Sequence, residues 1–170
     1  MRRKHISFLL AAAAILIASA SASASVMRLE VGDLVPKSNQ IIRGEVVSVE
    51  SAWGEWLTQG EVIYSTAIVR VTERYLGQPT QEVAVTLIGG TVNGTTMKAS
   101  ECPQLAPGED VVLFLLEYED KNWVTGLDNG KYRVVDDVAI NNGHHTARRL
   151  PLTELEREIV DKVRDLSTDR

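Results

Sequence analysis

Asp110 to Tyr118, DVVLFLLEY, restricts the fold more than any other stretch of this chain. Val111, Leu113 and Leu115 alternate on one side, and Val112, Phe114 and Leu116 on the other. A strand built this way is apolar on both faces and has to be covered twice. Other strands can enclose one face. A second layer must cover the other, and the best supplier is Leu152–Leu166, where Leu155, Ile159, Val163 and Leu166 recur at helical spacing. Thr153 followed by Glu156 reads as a capping box at the start of that helix. Lys162 and Arg164 suit its C-terminal end.

The partner strands are legible by the same period. Ile63–Gly77 places Ile63, Ala67, Val69 and Val71 on one face, and Tyr64, Thr66, Arg70 and Thr72 on the other, with Ile68 the one large apolar residue on that second face. Gln40–Glu50 is a strand carrying Gly44 in its interior. Near that glycine the apolar phase slips from Ile42 and Val46 to Val47 and Val49, which predicts a bulge or bend. Glu82–Ile88 alternates and is expected to stop at Gly89-Gly90, and Val92–Ala99 reads as a hairpin arm or loop. Trp123–Leu127 and Lys131–Val135 are expected to pair as a hairpin around Asp128-Asn129-Gly130, with a last short strand at Asp137–Ile140 and a turn at Asn141–Gly143. Val26–Val35 makes a short helix or turn before Pro36. The expectation is a mainly β domain: a small closed or partly open antiparallel β-barrel with a short N-terminal helix or turn and a C-terminal α-helix packed on it.

The chain has 170 residues, enough for one domain. Its start reads as a cleaved secretory signal peptide over residues 1–24: Arg2, Arg3 and Lys4, then the apolar run Phe8–Ile17, then the small-residue tract Ala18–Ala24. That apolar run is shorter than the ~20 residues needed to cross a bilayer. A single domain is then expected over 25–166, with a frayed tail at 167–170, in a secreted or periplasmic protein without membrane insertion after cleavage. Cleavage removes three basic residues and no acid from a chain whose formal charge is −5, so the mature domain is more acidic still. Such a domain is a poor match for nucleic acid. Cys102 is the one cysteine, so stability has to come from packing rather than a disulfide, and the expected role of the thiol is that of a buried small hydrophobe rather than a reactive or intermolecular group.

No nucleophile elbow, zinc-protease helix, phosphate loop or paired-cysteine motif is present. The residues therefore point to a non-enzymatic binding or accessory domain without a cofactor. Two aromatic residues, Trp53 and Trp56, fall in the expected connection Ser51–Gly60, where they offer a binding platform or, on the plainer reading, cap the open end of the barrel. A rival reading is a small metal-dependent hydrolase using Asp136, His144 and His145; adjacent histidines on a strand point apart, which weakens it. A third is a structural component of an envelope assembly.

Ser38–Glu50, Ile63–Gly77, Val83–Gly90 with its closing Gly-Gly, and Ala106–Leu115 with A-P-G-E-D-V-V-L-F-L occur in an order that resembles a group of uncharacterised secreted bacterial proteins. The same order resembles the netrin-like domain, the OB-type barrel of tissue inhibitors of metalloproteinases. The resemblance spans about residues 38–118 and rests on packing motifs. It implies an OB-like barrel accompanied by helix, with ligands on one strand face and its rim loops. Carried onto this chain, that rim holds Trp53, Trp56, Tyr64 and Arg70, and the implied partner is a protein, peptide or glycan. Those inhibitors hold the target's metal through an N-terminal cysteine, whereas Cys102 is internal, so inhibition does not carry over. Intact-mass measurement of the exported protein is expected to give a chain starting at or near Ser25. A mass that retains residues 1–24 would contradict the signal-peptide reading.

Overall fold

A computed structural model describes residues 29–56, 60–143 and 147–168. Within them the chain is mainly β, with nine strands and two α-helices. The strands are β1 (Gln40–Trp56), β2 (Gly60–Leu76), β3 (Glu82–Val92), β4 (Thr95–Lys98), β5 (Asp110–Tyr118), β6 (Lys121–Val124), β7 (Lys131–Val135), β8 (Val138–Asn141) and β9 (Arg148–Pro151). Helix α1 is Val31–Leu34, continued by a 3₁₀ turn over Val35–Lys37, and α2 is Leu152–Thr168. The hydrogen-bonded order β1-β2-β3-β6-β5 returns to β1 through a second set of β1–β5 bonds, so these strands form a ring-like sheet. Every pairing in it is antiparallel except β3 with β6. From β5 the sheet continues outward through β7, β8 and β9.

Two cores flank β5. Val111, Leu113 and Leu115 join Ile42, Val46, Ala67, Val69, Val83 and Val85 inside the ring. Val112 and Phe114 join Ile41, Tyr132, Val134, Leu150 and the helical residues Leu34, Leu155 and Ile159 in the second layer. Val111 through Leu115 are fully buried, as a doubly covered strand requires. Helix α2 turns Leu155 and Ile159 inward, with Val163 and Leu166 packed at the margin, each buried side chain contributing ~1.5–3 kcal/mol.

The phase slip in β1 has a definite cause. Val46 faces Val69 and Val49 faces Ala67, with a register shift between Val46 and Ser48. Three residues on β1 thus span two on β2. The extra residue, Val47, is pushed out to 38% exposure while Val46 and Val49 both serve the ring interior. Gly44 sits at another shift, where β1 is bonded to β2 and β5 together. A Cβ there would overlap the Arg70 carbonyl oxygen, so only glycine lets β1 come this close to β2.

Several expectations are corrected. Ser51–Trp56 is no loop: β1 runs through it and pairs residue by residue with Gly60–Ser65, since Trp53 and Trp56 suit an extended ladder. Gly89-Gly90 does not end β3, which exchanges β2 for β4 at that point, both glycines having positive φ. Asn93-Gly94, with φ of 50° and 82°, is the tight turn between β3 and β4. β6 and β7 do not form a hairpin with each other. β6 pairs with Leu115–Tyr118 and β7 with Asp110–Leu113, both antiparallel to β5. Since β1 occupies the other edge of β5, they are two stretches of one path interrupted by the 3₁₀ turn Leu127–Gly130. The Asn141 side chain donates to the Asp128 and Asn129 carbonyls and holds that turn out of the ladder.

β9, unforeseen in the sequence, leads directly into α2. Thr153 consequently lies inside the helix rather than capping it. The Leu152 amide donates to the Asp137 carbonyl at 2.8 Å, and Glu156 is taken by the Tyr75 hydroxyl at 2.8 Å. Ser167 and Thr168, expected to fray, are helical, their hydroxyls bonded to the carbonyls of Val163 and Arg164. The proposed signal peptide lies outside the described residues.

Polar contacts fasten α2 down. Arg43 forks onto Asp110, with Nη2 donating to Oδ2 at 2.7 Å, and lies 3.7 Å from Glu156. Arg148 forks onto Glu158. Burial and the neighbouring Glu156 carboxylate push the Tyr75 phenol well above its ordinary range, so the hydroxyl stays protonated and remains a donor at all physiological pH. Ile159→Asp buries a charge without a partner and is expected to cost ~3–5 kcal/mol, read as a fall in the urea midpoint. Removing residues 169–170 is expected to leave the midpoint unchanged. An unchanged midpoint in Ile159→Asp would show that α2 does not cover the second core.

Candidate functional site

Because cross-strand partners share a face, the register of β1, β2 and β3 sorts the outward side chains. Tyr64, Thr66, Ile68 and Arg70 stand opposite Ile88, Thr86, Ala84 and Glu82. Ile63, Ser65, Ala67 and Val69 between them are buried. The outer surface of β2 and β3 is thus one sheet face, extended by β6, where Trp123 stands opposite Thr86.

At one end of this face three side chains make a corner. The Tyr64 ring lies against Gly54, so close that a Cβ there would come within 2.8 Å of it. Its hydroxyl donates to the Glu55 carbonyl at 3.3 Å. The ring therefore lies along β1 instead of standing off the sheet. Trp123 meets it edge-on, with ring centroids 6.3 Å apart and planes at 70°, a geometry worth ~0.5–1.5 kcal/mol beyond area burial. The indole N–H donates to the Tyr118 carbonyl. Lys121 Nζ sits 5.7 Å from the Tyr64 centroid, a cation–π contact. Both rings are only partly buried, so the corner presents aromatic surface and a cation to solvent.

The four residues expected to form the site are not brought together. Tyr64 and Arg70 share the outer face but are six residues apart, ~20 Å along the strand. Arg70 is occupied with Glu82 at 3.8 Å, both side chains more than half exposed, a pair worth ~0–1 kcal/mol. Trp53 stands opposite Ile63, hence on the other face of the β1–β2 ribbon from Tyr64. At 45% exposure Trp53 is not a buried end cap, the role expected of one of the two tryptophans. Trp56 ends β1 opposite Gly60; its side chain is outside the described residues. Trp123 and Lys121 were missed. Their signal was the period-2 spacing in Lys121-Asn122-Trp123, which puts both on one side of a strand.

For the rival metal reading, Asp136 and Asp137 are the two positive-φ residues of the tight turn joining β7 to β8, and Asp137 accepts the Leu152 amide through its carbonyl. His144 and His145 lie outside the described residues. Among the described residues no group of three or more His, Cys, Asp or Glu side chains is placed to hold a metal ion.

Cys102 lies in the connection between β4 and β5 and is half-buried. Burial pushes its thiol up, and a backbone hydrogen bond at Ile88 pulls the other way. The thiolate is thus disfavoured near neutral pH, against a nucleophilic role there. No protein-family model matches this chain, and a search of curated proteins finds no match to it. The alkylation rate of Cys102 is expected to keep rising with pH beyond the point, near ~8.5, where an unperturbed thiol levels off. A plateau at or below that pH, measured by mass spectrometry of quenched samples, would show an unperturbed or activated thiol.

Proposed function

We propose that this chain is an exported, non-enzymatic binding or accessory domain built as a small OB-type barrel, and that a protein, peptide or glycan partner docks on the outer face of β2, β3 and β6. One observation carries the reading: the partly buried Tyr64–Trp123 corner with the exposed Lys121 beside it, on the outer sheet face. Five strands in ring-like order, with one parallel contact between β3 and β6, support the barrel type. An OB-type barrel uses this face, and aromatic side chains of this kind supply contact area at low entropic cost. The sequence resemblance to netrin-like domains concerns β1, β2, β3 and β5 of that ring. Export rests on the basic, apolar and small-residue order of residues 1–24.

A photo-crosslinking residue at Thr66, exposed in the middle of the face, tests the proposal in the producing cell, with Arg157 on the exposed side of α2 as the control. A discrete adduct is expected from position 66 and none from 157. Tyr64→Ala and Trp123→Ala are each expected to weaken capture about tenfold, as removal of a central aromatic anchor does. Equal labelling from the two positions, or capture indifferent to both substitutions, would exclude this face.

A further inference from the structure

The connection Ala99–Leu105 runs beside the point where β3 leaves β2 for β4, at one end of the ring. Between the two lies a cavity of about 350 Å³, within the ~300–1,000 Å³ range of small-molecule sites, for which the mouth of a barrel-like sheet is a common place. Val49, Leu87 and Leu105 bring the interior core to its wall. The polar side is a directed chain of hydroxyls. Ser65 lies 2.6 Å from the Gly89 carbonyl, which can only accept, so the one Ser65 proton is spent there. Ser51 and Ser65 are 2.9 Å apart; Ser51 must therefore be the donor of that pair. Ser51 Oγ, which lines the cavity, is left with acceptor capacity alone. Gly90 makes room for this pair, because a Cβ there would overlap both serine oxygens.

Lys98 is the only charged side chain among the described residues lining this cavity. It has no ion-pair partner among the described residues. The acids nearby, Glu101, Glu109 and Asp128, line instead a larger neighbouring cavity of about 840 Å³ that shares Lys98 and Cys102, and Glu109 is held by Lys131 at 2.9 Å.

We infer that this end of the ring is a second binding site, for a small hydroxy acid: an apolar carbon body against Val49, Leu87 and Leu105, a hydroxyl donating to Ser51 Oγ, and a carboxylate paired with Lys98. The site is separate from the outer aromatic face and does not depend on a partner docking there.

Cys102 lines the cavity and is the chain's one cysteine, so its alkylation reports occupancy. The probe is phenyllactate, compared with phenylpropionate, which lacks the hydroxyl, and phenethyl alcohol, which lacks the carboxylate. With the mature protein, phenyllactate is expected to slow alkylation saturably, and each comparison compound to need about tenfold more for the same effect, the equivalent of ~1.4 kcal/mol. Lys98→Met is expected to cost about tenfold for the two acids and to leave the alcohol unchanged. Ser51→Ala is expected to weaken phenyllactate and spare phenylpropionate. Both variants are checked first for an unchanged melting temperature without ligand; Lys98 is exposed, so its replacement leaves the fold intact. Absence of saturable protection by phenyllactate, or protection equally strong in wild type and Lys98→Met, overturns the assignment, whatever the crosslinking at Thr66 reveals.

Discussion

Val111 to Leu115 have no solvent exposure, and the sheet and helices are arranged so that this can be so. One side of β5 is enclosed by the strands that return to β1, the other by α1, α2 and the outer strands β7 to β9. Two cores with β5 between them give the helix its place, since Leu155 and Ile159 complete the second core that Val112 and Phe114 share with α1 and the outer strands. The polar contacts of α2 follow the same logic. Arg43 on β1, Asp110 on β5, Tyr75 on β2 and Glu156 on α2 meet at one edge of the second core. There they fix the helix over the strands that it has to cover.

Closing a sheet this small demands sharp local changes of direction, and the backbone provides them at a few points. β1 has to bond β2 and β5 at once, so it carries a glycine where the Arg70 carbonyl approaches and an extra residue at Val47 where the strand bends. β3 leaves β2 for β4 at Gly89-Gly90. That exchange sets the Ser51–Ser65 pair beside the cavity at this end of the ring.

The two candidate surfaces have different physical origins. The outer aromatic corner exists because Gly54 lets the Tyr64 ring lie flat along β1 and because β6, in parallel contact with β3, carries Trp123 to its edge. The cavity lies between the end of the β2–β3 pairing and the connection from β4 to β5, both of which line it. One presents aromatic surface and a cation to solvent. The other is lined by a short hydroxyl chain, by Val49, Leu87 and Leu105, and by one exposed lysine at its rim.

Much of the fold was readable from period alone. The double apolar face of Asp110–Tyr118, the inward set Ile63, Ala67 and Val69 and the stripe Leu155, Ile159 and Val163 are local patterns, and burial in this protein follows them. The bend near Gly44 announced itself as a change of apolar phase. What the chain could not disclose was which strand lies beside which. β6 and β7 flank a tempting Asn-Gly, yet both were captured by β5, whose free edge offered apolar neighbours that they could not offer each other. The candidate sites follow from those pairings. Trp53 and Tyr64 are eleven residues apart in sequence and stand on opposite faces, whereas Tyr64 and Trp123 meet across two sheet contacts. Side-chain period is a property of a single strand and can be read in its residues. Register between strands is decided by the packing of the whole sheet, and only register determines which side chains become neighbours.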